Sequence, residues 1–224
     1  MMPILLTLVA LVFLPWFYAK GARRARERRG EFFANSTRLF ETYRVTQQGM
    51  NYPVLEARYQ GLPVRLEPVL DNMGWRKLPS LWLKASLLVP NATRGTLDFL
   101  VRPQGVEFYS PSYDFHEHLR VPASWPQNAL LATLPGAAVP SLDKLAPHIE
   151  VFDDLKTKEL VVTPHGIRLV YQAAQAERAD YLVLRQATFT EPRVDPALVR
   201  ALLDRLIAIA ATLDAVPTSE AEAA

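Results

Sequence analysis

Apolar residues fill the first nineteen positions of the chain almost without interruption. No charged side chain occurs from Met1 to Ala19. As a helix rising about 1.5 Å per residue this stretch is roughly 28 Å long, close to the roughly 30 Å apolar thickness of a bilayer. Six basic residues and one acidic residue follow in residues 20–29. We therefore predict a transmembrane helix over residues 1–19 and a basic juxtamembrane segment over residues 20–30.

A cleaved secretory signal is the alternative interpretation of this segment. Such signals carry their basic residues before the apolar stretch, whereas here the basic cluster comes after it. Basic residues beside a span favour the cytoplasmic side, so we predict the amino terminus outside and the domain in the cytoplasm. The arginine-, alanine- and leucine-rich composition suggests a bacterial inner membrane, and the bilayer is the expected partner of residues 1–29.

Beyond the apolar segment, the spacing of apolar side chains alternates between helical and strand periods. Helical spacing predicts helices over residues 31–47, 141–155 and 195–213. Alternation of apolar and polar residues predicts strands near residues 54–59, 63–70, 81–89, 96–101 and 181–189. The helix beginning at Asp195 has the clearest pattern, because Asp195 can cap it and Pro196 suits its first position.

Two turns share one pattern of residues. Pro103 and Gly105 separate two apolar runs, and Pro164 and Gly166 separate two others. Proline sets the φ of a type I turn, and glycine accepts the positive φ that closes a short hairpin loop. Both segments are therefore predicted to be β-hairpins. The order of hairpin and then helix occurs twice, which suggests a duplicated hairpin-plus-helix unit, although little else matches between the two.

These patterns predict an α+β fold in which an N-terminal transmembrane helix precedes an antiparallel β-sheet domain with packed helices. A chain of 224 residues has room for one domain of ordinary size, which we place at residues 31–216. The tail over residues 217–224 has no large apolar side chain and is expected to be disordered. Residues 110–140 contain five prolines and are predicted to form a long ordered loop, a common location for functional sites.

Charge and composition exclude several classes of function. The formal net charge is +2, of which residues 20–29 contribute +5, so the rest of the chain is acidic. The acidic net charge outside residues 20–29 argues against nucleic-acid binding, because such binding needs a basic surface. The chain has no cysteine, which removes disulfides, thiolate zinc sites and cysteine nucleophiles. Glycine-rich phosphate loops, nucleophile elbows and HExxH pairs are also missing, and no cofactor is predicted.

One short segment contains residues that can bind a metal ion. Asp114, His116 and His118 alternate along the chain, and alternate side chains of an extended segment lie on the same face. A fourth ligand would have to come from His148 or His165, and no spacing supports either. Solvated loop side chains are the preferred interpretation. We therefore predict no catalytic residue and no metal site. If a metal ion does bind, Asp114, His116 and His118 are its candidate ligands.

We consider three functions for the domain. The first is a non-enzymatic, membrane-tethered domain that binds or scaffolds another protein, because an anchor is predicted and catalytic motifs are missing. The second is a metal-dependent enzyme that uses Asp114, His116 and His118. The third is a binder of lipid or a small apolar ligand, in which the sheet and the helix from Asp195 enclose a cavity.

Overall fold

The computed structural model describes residues 2–71, 78–91, 95–105, 107–176, 189 and 193–214. These residues form one nine-stranded antiparallel sheet and three α-helices. The helices are α1 (Met2–Gly30), α2 (Leu142–Leu145) and α3 (Pro196–Asp214). The strands are β1 (Thr42–Thr46), β2 (Val54–Tyr59), β3 (Leu62–Asp71), β4 (Ser80–Leu87), β5 (Leu97–Val101), β6 (Glu117–His118), β7 (Ala129–Thr133), β8 (Thr157–Thr163) and β9 (Gly166–Gln175). Short 3₁₀ helices cover Thr37–Leu39, Pro111–Tyr113 and Ala146–Asp153.

The strand order across the sheet is β1-β2-β3-β4-β9-β8-β5-β7-β6. The first four strands form a meander in chain order, and β9 pairs with β4. β5 lies further out, between β8 and β7. The chain therefore leaves the meander after β4, forms the far edge with β5, β6 and β7, and returns with β8 and β9 to fill the gap between them.

The two faces of the sheet differ in chemistry because successive side chains of a strand point to opposite faces. One face, called the core face, carries fully buried apolar residues such as Leu55, Leu66, Leu83 and Leu169. The opposite face, called the polar face, carries the intervening residues of the same strands. Its charged members include Glu56, Arg65, Glu67, Lys84, Asp98, Glu159 and Arg168.

Helix α3 covers the core face at β4 and β9 and confirms the helix predicted from Asp195. The Asp195 carboxylate accepts a hydrogen bond from the Ala197 backbone N–H at 2.9 Å, as expected of a capping residue. The side chains of α3 buried against the sheet include Leu202, Leu203, Leu206 and Ile209. Each contributes about 1.5–3 kcal/mol by its burial.

The helix predicted over residues 31–47 does not form. Turns and a 3₁₀ helix follow Gly30, and Thr42–Thr46 is strand β1. Phe32 and Phe33 are buried with ring centroids 5.0 Å apart, so the apolar spacing reflects side chains packed from turns. Residues 42–46 include three β-branched side chains, which favour a strand over a helix.

One of the two predicted hairpins forms and the other does not. Strands β8 and β9 are joined through Pro164 and His165, with Thr163 paired to Gly166. After Gly105 the described residues form a turn and a 3₁₀ helix, and β5 pairs with β7 and β8. Both sides of β5 are occupied by distant strands, so a local hairpin partner has no place beside it. The predicted duplicated hairpin-plus-helix unit is therefore wrong.

The predicted fold class is also wrong in its first element. No helix in the described part of the chain combines the length and the apolar composition needed to cross a membrane. Helix α1 runs without a break from the apolar residues into the basic cluster that was expected to flank a span, so the two form one mixed helix. The prediction of a transmembrane helix over residues 1–19 is therefore wrong. The predicted single-pass topology is wrong with it, including an amino terminus outside an inner membrane and a domain in the cytoplasm.

Two further predictions concern regions that the structure describes differently or not at all. The long loop over residues 110–140 contains strands β6 and β7, so it is less irregular than its five prolines indicated. The strand predicted over residues 181–189 and the tail over residues 217–224 lie outside the described residues, apart from Phe189.

Candidate functional site

Two regions of the molecule combine exposure or unpaired polar groups with a shape that can hold a partner. The first is the edge of the described sheet at β1. The second is the polar face around β4, β5, β8 and β9, where buried charged residues lie next to a cavity.

Strand β1 is an edge strand in which all five residues are exposed. Its register pairs Tyr43 with Ala57 and Val45 with Leu55, so Tyr43 and Val45 lie on the core face. They nevertheless remain 54% and 41% exposed. The apolar core face therefore extends one strand beyond the part that the helices and turns cover.

The other face of β1 begins a row of charges that crosses the sheet. Arg44 is paired with Glu56 in the register, and Glu56 is paired with Arg65. Arg65 Nη1 lies 3.1 Å from Glu56 Oε1, and Arg65 Nε lies 3.7 Å from Glu67 Oε2. Arg65 thus neutralises both carboxylates, and within the described residues no carboxylate forms an ion pair with Arg44.

An open cavity of about 570 Å³ adjoins this edge on the polar face. Its lining includes Arg29, Tyr52, Glu56 and Arg65. The Arg29 guanidinium lies 5.3 Å from the centroid of the Tyr52 ring and donates to the Met50 carbonyl oxygen at 2.7 Å. The end of helix α1 is therefore fixed beside the edge of the sheet.

In the second region, two carboxyl groups are completely buried on neighbouring strands. Asp98 lies on β5 and Glu159 on β8, and each has no exposed surface. The register pairs Asp98 with Val161 and Leu100 with Glu159, so the two acids are diagonal neighbours on the polar face. The pair has no counterpart among the residues singled out from sequence.

The electrostatics of this pair are set by burial. Burial raises the pKa of Asp98 to about 7, against a hydrogen bond from Ser110 Oγ to Asp98 Oδ2 at 3.3 Å. Burial and the neighbouring Asp98 carboxylate raise the pKa of Glu159 well above its usual value. The Ser110 hydroxyl lies beside both carboxyl groups and lowers the pKa of each, but burial outweighs this effect. Burial and the repulsion between the two acids thus both favour the protonated form of Glu159.

A covering segment, defined as residues 107–115, closes over this pair. Tyr109, Ser110 and Phe115 are among its buried residues. Its first residue is Glu107, whose Oε1 atom lies 3.5 Å from Lys158 Nζ. Both side chains are 7% exposed. The Glu107 carboxylate also accepts a hydrogen bond from the Gln104 N–H at 2.7 Å, which fixes the segment at the edge of β8.

A polar cavity of about 270 Å³ lies between the covering segment and strands β4 and β9. Trp82 and Tyr109 form its aromatic wall, with ring centroids 5.1 Å apart and ring planes at 39°. The Trp82 Nε1 and the Tyr109 hydroxyl are buried and have no hydrogen-bond partner in the described residues. Both atoms have almost no accessible surface of their own, so they lie behind the cavity wall and do not face the cavity.

The three metal candidates do not form a metal site in the described part of the chain. Asp114, His116 and His118 are exposed near β6, at the edge of the sheet opposite β1. The described residues contain no group of three His, Cys, Asp or Glu side chains placed to hold a metal ion. Asp114 belongs to the covering segment but is exposed, and His116 and His118 lie outside both regions described above.

The two histidines considered as a fourth ligand, His148 and His165, lie in different surroundings from these three residues. His148 is buried, and its Nε2 lies 2.8 Å from the Thr212 hydroxyl. Burial lowers the pKa of His148, so the imidazole is neutral at pH 7. His165 is exposed in the turn between β8 and β9. Neither histidine joins the exposed residues near β6.

The buried acids could have been found in the sequence by one signal. Asp98 interrupts the apolar run of β5, and Glu159 precedes the apolar run of β8. A lone carboxylate within a strand that is otherwise apolar predicts either an exposed sheet face or a buried polar pair. Which of the two applies depends on the strand order, which the sequence does not reveal.

Comparisons with family models, with curated proteins and with solved structures find no match to this chain.

Proposed function

We propose that this domain is a non-enzymatic binding protein that takes an extended segment of a partner protein along edge strand β1. The observation that carries the proposal is the exposure of Tyr43 and Val45 on the core face of β1, whose outer side pairs with no described strand. A strand added beside β1 continues the sheet and brings its own apolar side chains over these two residues. This is the mode by which exposed sheet edges bind extended peptides.

The edge also offers backbone hydrogen bonds. β1 pairs with β2 on one side, and no strand among the described residues pairs with its other side. One row of its N–H and C=O groups therefore faces outward and is available to a partner. Natural proteins protect such edges with proline, lysine, bulges or very short strands. β1 has neither proline nor lysine, whereas the opposite edge, β6, has two residues.

Charge determines what the partner strand should look like. Arg44 lies between Tyr43 and Val45 on the opposite face, and the neighbouring Glu56 is already bound by Arg65. An acidic side chain placed opposite Arg44 would form a cross-strand pair worth about 0.2–1 kcal/mol. We therefore expect the occupant to carry an acidic residue between two apolar residues. Two copies of β1 supply no such residue opposite Arg44 within the strand.

Site-specific photocrosslinking in the cell of origin tests this function. A photoreactive amino acid placed at Tyr43 should give a discrete adduct with a second protein. The same amino acid at Leu155, which is 77% exposed and lies away from β1, should not give that adduct. Arg44→Glu should weaken the adduct at position 43, and Arg38→Glu, a change of another exposed arginine, should leave it unchanged.

Two outcomes contradict the proposal. An adduct at Tyr43 that contains two copies of this chain would show that the edge serves self-association. Equal adducts at positions 43 and 155 would show that the crosslinks report exposure and not docking.

A further inference from the structure

We propose that the covering segment, residues 107–115, is a pH-dependent cover that lies on the polar face while Asp98 and Glu159 are protonated and lifts from it when they ionise. This part of the polar face is separate from the edge strand β1, so the proposal does not depend on the function proposed for that edge. Three features of the molecule support it: the burial of the two acids, the charges around them and the attachment of the covering segment.

The covering segment lies over two acids that have no exposed surface. Asp98 on β5 and Glu159 on β8 are each 0% exposed and are diagonal neighbours on the polar face. In the described part of the chain, neither carboxyl group forms an ion pair. A buried carboxylate without a paired cation is costly, whereas a protonated carboxyl group carries no charge. The covered arrangement therefore favours the protonated acids.

Charged and titratable side chains surround the pair on the adjoining strands and in the covering segment. They are Arg168 on β9, Lys84 on β4, Lys158 on β8, Glu67 and Asp71 on β3, and Glu107 and Tyr109 in the covering segment. The facing residues of β7 are apolar. Arg168 lowers the pKa of both acids, but one guanidinium cannot neutralise two carboxylates. Lys158 is already paired with Glu107, so ionisation of both acids leaves an excess of negative charge beneath the covering segment.

The direction of the pH effect follows from the direction of the pKa shifts. Burial raises the pKa of Asp98 from 3.8 to about 7 and raises the pKa of Glu159 well above 4.5. Lifting the covering segment returns both carboxyl groups to water and so brings their pKa values back towards the ordinary ones. The covered form therefore binds more protons than the lifted form. As the pH rises from 3.8 to about 7, the equilibrium shifts towards the lifted form.

The covering segment can lift without breaking the sheet, because side chains attach it to the strands. The Ser110 N–H donates to the Glu107 carbonyl oxygen and the Asp114 N–H donates to the Pro111 carbonyl oxygen, each at 2.8 Å, so both bonds lie within the segment. Among the described residues, no backbone hydrogen bond joins the segment to a strand.

The side-chain contacts of the covering segment show which part of it can move. The ion pair between Glu107 and Lys158 fixes its first residue at β8. Further along, the Ser110 hydroxyl donates to Asp98 Oδ2 at 3.3 Å, and Phe115 packs against Val161 on the polar face. Lifting of this later part uncovers Val161, which is 3% exposed in the covered form.

Thiol labelling of the full chain tests the proposal, because the protein has no cysteine of its own. Val161→Cys places a thiol beneath the covering segment. Val162→Cys is the matched control, since Val162 is the next residue of β8, is fully buried and belongs to the core face. The reagent is a dipyridyl disulfide, and each rate is divided by the rate of the same variant unfolded in urea at the same pH. This division removes the titration of the thiol itself.

The corrected rate at position 161 should rise at least about tenfold between pH 5 and pH 7, because each proton released allows up to about a tenfold change per pH unit. At pH 7 it should exceed the corrected rate at position 162 by at least about tenfold, because lifting of the cover is local whereas the core face opens only on unfolding.

Amide variants then identify the acids as the cause. In the Val161→Cys background, Asp98→Asn combined with Glu159→Gln should abolish the rise, Glu159→Gln alone should reduce it, and Asp153→Asn at an exposed position should leave it unchanged. Melting temperatures verify that the variants are folded, and Glu159→Gln alone decides the matter if the double change does not fold. Equal rates at positions 161 and 162 at pH 7, no rise at position 161, or a rise that persists undiminished in Glu159→Gln would each overturn the proposal.

Discussion

Asp98 and Glu159 link the stability of the protein to pH. Their ordinary pKa values are 3.8 and 4.5, and burial raises both in the folded chain. Between these values and about pH 7 the folded state therefore binds more protons than the unfolded state, and stability falls as pH rises. The favourable contribution is fully present below pH 3.8 and is lost as pH rises through the folded pKa values. Arg168, Ser110 and Lys84 are polar groups on adjoining elements that interact with this pair.

Replacing one of these acids with its amide removes the pH-sensitive charge. Glu159→Gln should raise the melting temperature at pH 8, because the amide stays neutral and can donate to Asp98. At pH 5 the wild-type carboxyl is already protonated, so the variant should differ little there. Thermal unfolding at both pH values measures this, with Asp153→Asn at an exposed position as the control. A lower melting temperature of Glu159→Gln at pH 8 would contradict the assignment.

Gly166 has a different role from the one its turn predicted. Its φ lies outside the left-handed region, whereas Gly105 has φ of 121°. A Cβ at position 166 would lie 2.3 Å from the Leu87 carbonyl oxygen, so glycine allows β4 and the β8–β9 turn to approach closely. The sequence pattern thus identified a required glycine for the wrong physical reason.

Gly166→Ala should lower the free energy of unfolding by about 1–3 kcal/mol, because backbone has to move to admit the methyl group. Gly21→Ala is the matched control: nothing lies within 4 Å of its Cβ position, and alanine favours the helix. Urea unfolding of both variants gives the comparison. Equal stability of Gly166→Ala and the wild-type protein would show that the close approach is not rigid.

His116 and His118 are expected to be ordinary surface residues. Changing both to alanine should leave metal content and melting temperature unchanged, because both side chains are exposed and neither available histidine joins them. Elemental analysis of the purified wild-type and double-variant proteins measures this. Stoichiometric zinc or manganese that disappears in the double variant would restore the metal-enzyme hypothesis.

Among the elements, those with a local cause were predictable. Strands β2 and β3 lie within one or two residues of their predicted bounds, because their side chains alternate and Gln60 and Gly61 take positive φ in the turn between them. Helix α3 was predictable from its cap and its apolar stripe. Turns that pack three phenylalanines imitate helical spacing, which explains the failure over residues 31–47.

Pairing between distant strands was not predictable. The two turns with proline and glycine look alike in sequence, yet one closes the β8–β9 hairpin and the other leads the chain away from β5. The difference comes from β7 and β8, which occupy both sides of β5. Such non-local competition leaves no mark in the local pattern of apolar residues.

Helix α3 should be the main support of the core face at the centre of the sheet. Leu206 has no exposed surface and faces the core, so Leu206→Ala should cost about 2–5 kcal/mol of unfolding free energy. Arg200→Ala, at an exposed position of the same helix, should change it by less than about 0.5 kcal/mol. Chemical denaturation measures both. Similar losses in the two variants would show that α3 contributes little to the core.

At the scale of the whole molecule, the sheet is covered unevenly. Helix α3 closes its core face at the centre, and residues 107–115 close the polar face over β5 and β8. The edge at β1 lies outside both covers. The candidate sites could not be predicted from sequence, because one depends on which strand becomes the edge and the other collects residues from four strands.

The most direct test of the account is amide hydrogen exchange of the chain alone and in complex with the protein crosslinked at Tyr43. Strand addition should slow the outward-facing amides of β1 by about tenfold or more, because they become hydrogen-bonded. The amides of β6, at the opposite edge, should keep their rates and serve as the internal control. Unchanged exchange in β1 together with protection elsewhere would contradict the proposal that this edge binds the partner.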